Sequence, residues 1–126
     1  SATIDDAITR WFTVEFTKNN ERKIDLVRSW VLANDTDIYS KNYKVLVDGV
    51  TEVIGLEEMI QCPTLVVTAD QDYGNGPEMA RSIASEIANS KVVIINGLRH
   101  MALFERPQEM YEHLNNFLAM IQLEER

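Results

Sequence analysis

The residues best suited to chemistry in this sequence are two acids, Asp70 and Asp72, and a histidine, His100. A carboxylate bonded to one imidazole nitrogen fixes the ring's tautomer and stabilises the imidazolium, leaving the other nitrogen free to act as a base. Such a pair is useful only beside a nucleophile. The acids lie in ADQDYGNG and the histidine in NGLRHMA, far apart along the chain, so the fold has to bring them together. In the plainer reading Asp72 caps a turn or a helix and His100 is an ordinary loop histidine; spacing alone leaves both readings open.

Both segments follow apolar runs, residues 64–69 and 91–95, of the kind seen when both faces of a sheet are covered. Between the runs, Pro77 is preset for a first helical turn, and Met79, Ala80, Ile83, Ala84, Ile87 and Ala88 recur at three- and four-residue intervals. Strand, packed helix and strand make a right-handed crossover with parallel strands. Loops that follow the carboxyl ends of such strands project from one edge of the sheet. Neighbouring strands lie about 5 Å apart, so side chains on the two loops can reach one another. A closing helix starts at Pro107, with Met110, Tyr111, Leu114, Phe117, Leu118 and Ile121 as its inner stripe and His113 off it, exposed.

With these elements in place, the stretch from Pro63 to Pro107 resembles the last two strands of the α/β-hydrolase fold. PTLVVTADQD is similar to that family's P-T-L-V-x-x-G-x-x-D, with Ala69 in the usual glycine position, and the register implies Asp72 rather than Asp70 as the acid. GLRHMALFERP is similar to G-x-x-H with a nearby Glu-x-Pro, which implies His100 as the base and sets Glu105 and Pro107 at the opening of the last helix. Arg99 departs from the pattern, standing where many relatives have a small residue and putting a cation beside the histidine. Members carry Ser, acid and His in that order, with Ser on a G-x-S-x-G elbow. No such elbow occurs in these 126 residues. The resemblance therefore implies a fold class of α/β type: the carboxyl-terminal part of an α/β hydrolase, a helical cap segment followed by a parallel βαβα unit.

Residues 1–60 read as helices throughout, and the α/β pattern begins only at Pro63. The division is thus a helical cap segment at 1–60 and the carboxyl-terminal part of the core at 61–126. One helix is expected over 4–16, after Thr3 as cap, with Ile4, Ala7, Ile8, Trp11 and Phe12 on one face. A second covers 21–33 and presents Ile24, Val27, Trp30 and Val31. A third, 36–47, turns Tyr39, Tyr43, Leu46 and Val47 inward, and 56–60 makes a short helical turn. Arg10-Trp11-Phe12-Thr13 resembles the cap of the enol-lactone hydrolases of aromatic-acid degradation. On that resemblance Trp11 and Trp30, with Met101 beside the histidine, are candidate substrate contacts; the plainer reading, which the residue types favour, puts the tryptophans, Phe12, Tyr39 and Tyr43 in the cap's own core.

Composition excludes several classes. With 45% hydrophobic and 25% charged residues the chain reads as an ordinary globular domain, and its net charge of -8 argues against nucleic acid or an anionic membrane as partner. Cys62 is the single cysteine, so no disulfide framework or zinc quartet arises; it reads as a buried packing thiol. His100 and His113 sit in different elements and make no metal cluster, and no phosphate-binding glycine loop occurs, so neither metal nor cofactor is expected. A cytoplasmic location is the default in the absence of a membrane span or signal-like start. The first apolar run has one neighbour in its own chain, so its other edge needs an occupant. The simplest is the amino-terminal half of the same hydrolase as a second chain, with a small molecule as substrate and self-association left open. The leading function is hydrolysis of a carboxylic ester or lactone by a Ser-His-Asp mechanism. The alternative is a non-catalytic ligand-binding or interaction module on the same scaffold, favoured by Arg99 and the missing nucleophile.

Overall fold

In the computed structural model, which describes residues 2–55 and 59–124, the two apolar runs pair as β1 (Thr64–Ala69) and β2 (Ser90–Ile95). The strands are parallel and in register from Thr64↔Ser90 to Ala69↔Ile95, so both end at one level. Helix α5 (Pro77–Glu86) makes the crossover between them. Among the described residues the sheet has only these two strands, and the far edge of β1 has no strand neighbour.

Helices occupy the chain before β1: α1 (Ala2–Trp11), α2 (Val14–Asn19), α3 (Glu21–Leu32) and α4 (Thr36–Val53). The single helix expected over 4–16 is in fact two, and Thr3 lies inside the first rather than capping it. The break comes from Thr13, which takes extended backbone angles and turns its hydroxyl to accept from the Phe16 amide at 3.1 Å. A short polar side chain at this point offers the backbone a better partner than the next helical carbonyl. The turn stacks Phe12 on Phe16, with ring centroids 5.5 Å apart.

Two small cores result. In the helical part Ile8, Phe12, Ile24 and Val27 are buried together, with Trp11, Phe16, Met101 and Phe104 packed around them. Under the sheet Ala69, Ile95, Leu98 and Ala102 form the second, against Val67, Val93 and Met110. Residues 98–104 therefore contribute to both.

Several expected inner faces are open. Helix α4 runs six residues beyond 47, and Tyr39, Tyr43, Leu46 and Val47, like Val50 and Val53 further on, are all exposed. Trp30 is 52% exposed. In α5 Ala80 is buried but Met79 and Ile83 are not, and Ile87, buried, lies just past the helix end. In α7 (Pro107–Glu124) only Phe117 of the expected stripe is buried, Tyr111, Leu114 and Leu118 being exposed, while His113 is half-buried. Cys62 is exposed, not a packing thiol, because the segment before β1 lies outside both cores. The helical turn at 56–60 falls largely outside the described residues. Glu105 belongs to a separate short helix, α6 (Ala102–Glu105), instead of opening α7.

Phe12, fully buried and in edge contact with Phe104, joins the helices to the histidine loop. Replacing it with Ala should cost about 3–5 kcal/mol of stability. The shift in chemical denaturation midpoint measures this.

Candidate active site

The level ends of β1 and β2 set the site. Ala69 and Ile95 are partners in register and both buried, and the two loops that leave them are sewn together by main-chain and side-chain bonds. Asp70 N donates to Ile95 O at 3.0 Å and Gln71 N to Leu98 O at 3.0 Å. The Asp70 carboxylate accepts from Gly97 N at 2.7 Å and from Leu98 N at 3.3 Å. Asp70 is thus the strut between the loops. Gly97 sits at φ +72, a left-handed conformation that favours glycine, where the histidine loop turns back.

Asp72 meets His100. Its Oδ2 lies 2.8 Å from His100 Nδ1, while its Oδ1 accepts from Gly74 N at 2.9 Å and Asn75 N at 3.1 Å. The turn-capping role and the histidine-pairing role hold together, one on each oxygen. The acid's side chain is 8% exposed and the histidine's 44%, so the pair has a buried end and an open end. A carboxylate can only accept, so Nδ1 carries the proton toward it and the outward Nε2 presents a lone pair in the neutral ring. Burial works to raise the Asp72 carboxyl. The hydrogen bonds from His100, Asn75 and Gly74 and the charge of the imidazole outweigh it, holding the carboxyl below the ordinary value of 3.8. Asp72 is therefore ionised at neutral pH, ready to stabilise a charged imidazole.

Around the pair is an open hollow of about 240 Å³ lined by Arg10, Trp11, Tyr73 and Asn75 as well as Asp72 and His100. A second, of about 330 Å³, runs along β1 past Val66, Met79, Ile83, Leu103 and Met110 and also reaches Asp72 and His100. Of the candidate substrate contacts, Trp11 stands beside the pair. Met101 packs into the helical core, and Trp30 lies edge-on to Phe104 at 6.3 Å; neither lines these hollows. Arg99 does not turn its charge on the histidine. Its Nη1 donates to Phe12 O at 3.0 Å and to Thr9 O, at the carboxyl end of α1, and its Nε is buried without a partner.

Sequence reasoning missed the contact between α1 and the histidine loop. Thr13 N and Thr13 Oγ1 both donate to the Glu105 carboxylate, each at 2.7 Å, and Met101 N donates to Trp11 O at 2.8 Å. Each half was visible as a motif, RWFT and FERP, but only tertiary structure joins them. Among the described residues no group of three or more His, Cys, Asp or Glu is placed to hold a metal ion, and no helix is long and apolar enough to cross a membrane.

Two outcomes follow from this geometry. A Cβ on Gly76 would stand 2.9 Å from the Asp72 carbonyl, so Gly76→Ala should displace the turn and cost about 1–3 kcal/mol. Thermal unfolding checks the loss. Because Asp72 has a depressed folded value, its contribution to stability is present above 3.8 and fades as pH falls below that, through the folded value. Denaturation of wild type and Asp72→Asn from neutral pH into the acid range should give a gap that narrows as pH falls below 3.8.

No family model and no curated protein matches the sequence. Solved structures do. The chain is similar to the enol-lactonase from Burkholderia xenovorans LB400, with TM-score 0.85 at 22% identity, over 94% of this chain and 44% of that one. It is also similar to a thermophilic esterase from Thermogutta terrifontis, in a malate-bound structure, with TM-score 0.74 at 20% identity, over 96% of this chain and 44% of that one. The chain thus spans less than half the length of either, and identity this low speaks to fold, not to reaction. Among the described residues, four helices, then strand, crossover helix, strand and closing helices make the carboxyl-terminal part of an α/β-hydrolase fold, and that is the fold of this chain.

Proposed function

We propose that this chain supplies the acid and base of a Ser-His-Asp hydrolase acting on a small carboxylic ester or lactone, with the nucleophile on an amino-terminal part that carries a G-x-S-x-G elbow. The observation that carries the reading is the 2.8 Å bond from Asp72 to His100 Nδ1, which leaves Nε2 free at the open end of the pair. His100 Nε2 takes the serine proton as the serine oxygen attacks the carbonyl carbon. Asp72 holds the ring and stabilises its charge. The oxyanion of the tetrahedral intermediate is held by backbone N–H groups of the amino-terminal part. When the intermediate collapses, the same nitrogen protonates the departing alkoxide; water then attacks the acyl-enzyme by the reverse use of His100.

The amino-terminal part belongs on the free edge of β1, as a second chain or as continuous polypeptide. That edge has backbone groups to pair, and the apolar hollow along it needs a cover. Residues 1–60 act as a cap over the substrate, with Trp11 at its inner wall. The names of the two structural neighbours, an enol-lactonase and an esterase, support the substrate class. The lack of an elbow in these 126 residues favours a second reading, a receptor on the hydrolase scaffold that binds without turnover.

The test uses the protein with both parts present, on p-nitrophenyl acetate and on a simple enol-lactone. His100→Ala should lower kcat/KM by about 10³-fold or more, and Asp72→Asn by about 10²-fold or more, with folding retained. A fluorophosphonate should label a serine of the amino-terminal part and nothing in this chain. His100→Ala with activity close to the parent would overturn the mechanism, and a parent that binds the lactone without turning it over would leave the receptor reading.

A further inference from the structure

We propose that Glu105, Thr13 and Arg99 are positioning residues, a clamp that fixes the Arg10–Trp11 wall of the hollow against His100 and so governs substrate fit rather than proton transfer. The inference rests on the hydrolase reading and adds residues to its site. Three grips hold residues 9–13 to the histidine loop. Both oxygens of Glu105 are used on Thr13, one on the amide and one on the hydroxyl, each at 2.7 Å. The hydroxyl gives its only proton to Glu105 and accepts from Phe16 N, so both of its capacities are engaged. Arg99 bonds the carbonyls of Thr9 and Phe12, where the negative end of α1 favours a cation. Between these two, Met101 N takes the Trp11 carbonyl.

The gripping residues, 99, 101 and 105, straddle His100, and the gripped residues include Trp11, which lines the hollow from the helical side, and Thr9, the chain neighbour of its companion Arg10. Bonds from a carboxylate to an amide and a hydroxyl are charge-assisted and short, and in a part-buried setting they hold position well. The acid–base pair has holds of its own outside this clamp. Asp72 and His100 are set by the sheet loops through Asp70 and the 72–75 turn. Two frames therefore meet at the hollow: the sheet loops carry the proton-transferring groups, and the clamp carries the wall that faces them. With the Asp70 and 72–75 bonds intact, loosening the clamp shifts the wall more than the pair.

Thr13→Val keeps the shape and removes the hydroxyl; Thr13→Ser keeps the hydroxyl; Glu105→Gln keeps the shape and removes one acceptor and the charge. In the protein with both parts, Thr13→Val and Glu105→Gln should each raise KM for p-nitrophenyl esters about tenfold. In both, kcat should change less than about twofold and the pH profile of kcat should stay in place, while Thr13→Ser restores KM. A fall in kcat at constant KM, a shifted pH profile, or Thr13→Ser as damaging as Thr13→Val would overturn the proposal. Hydrogen exchange at the Met101 amide gives a second readout that needs no activity: it should quicken in Thr13→Val and Glu105→Gln while β1 and β2 amides keep their rates. If the parent turns over no ester, the hydrolase reading fails and exchange alone judges the clamp; an unchanged Met101 rate in both variants rejects it. Should Thr13→Val fail to fold, Glu105→Gln carries both measurements.

Discussion

Everything at the site depends on two parallel strands ending side by side. The register Ala69↔Ile95 brings two loops out at one height, and the Asp70 carboxylate then ties the second loop to the first through the amides of Gly97 and Leu98. A one-residue slip would turn every side chain of one strand to the other face and carry its loop about 3.3 Å along the strand, beyond the reach of a 2.8 Å hydrogen bond. The buried termini of the strands and the Asp70 strut both resist such a slip, one by packing and one by charge-assisted bonds. The acid that sequence spacing offered as an alternative partner for the histidine is what makes the actual pairing stable.

The histidine loop is the second point of convergence. Leu98 and Ala102 belong to the core beneath the sheet, while Met101 and Phe104 pack into the helical core, so the loop is a wedge held from both sides. A loop with buried anchors on alternate sides of its exposed residue has few ways to move. His100 is 44% exposed, yet its neighbours at 98, 101 and 102 are not free to follow solvent. Local order of this sort suits a group that must present one nitrogen outward and keep the other on a fixed partner.

Periodicity made the strands, the crossover helix and the common edge of the two loops readable, because these follow from chain order and strand twist alone. The contact between Asp72 and His100 was readable for the same reason, although choosing Asp72 over Asp70 needed the register of the resembled family. What could not be read was what covers each apolar stripe. Tyr39, Tyr43 and Leu46 on α4, or Leu114 and Leu118 on α7, have the spacing of buried residues and lie open. An apolar stripe says that a face is suited to burial; it does not say that the burying surface lies in the same chain. The break at Thr13 was missed for a different reason. Its hydroxyl serves Phe16 and Glu105 at once, and the second partner lies 92 residues away.

The division of Asp72 between its two oxygens has a consequence for which member of the pair is the reference point. Oδ1 is held by two backbone amides of its own turn, so the carboxylate plane is set before any histidine arrives. Rotation to follow a displaced imidazole would break two bonds to keep one, and each bond to a charged acceptor is worth about 1.5–3 kcal/mol. The balance favours the turn. His100 therefore takes its orientation from Asp72, and the position of its outward nitrogen is a property of the 72–76 turn as much as of the histidine loop. Gly76, whose missing side chain lets the turn close under the Asp72 carbonyl, is in that sense part of the site although it carries no functional group.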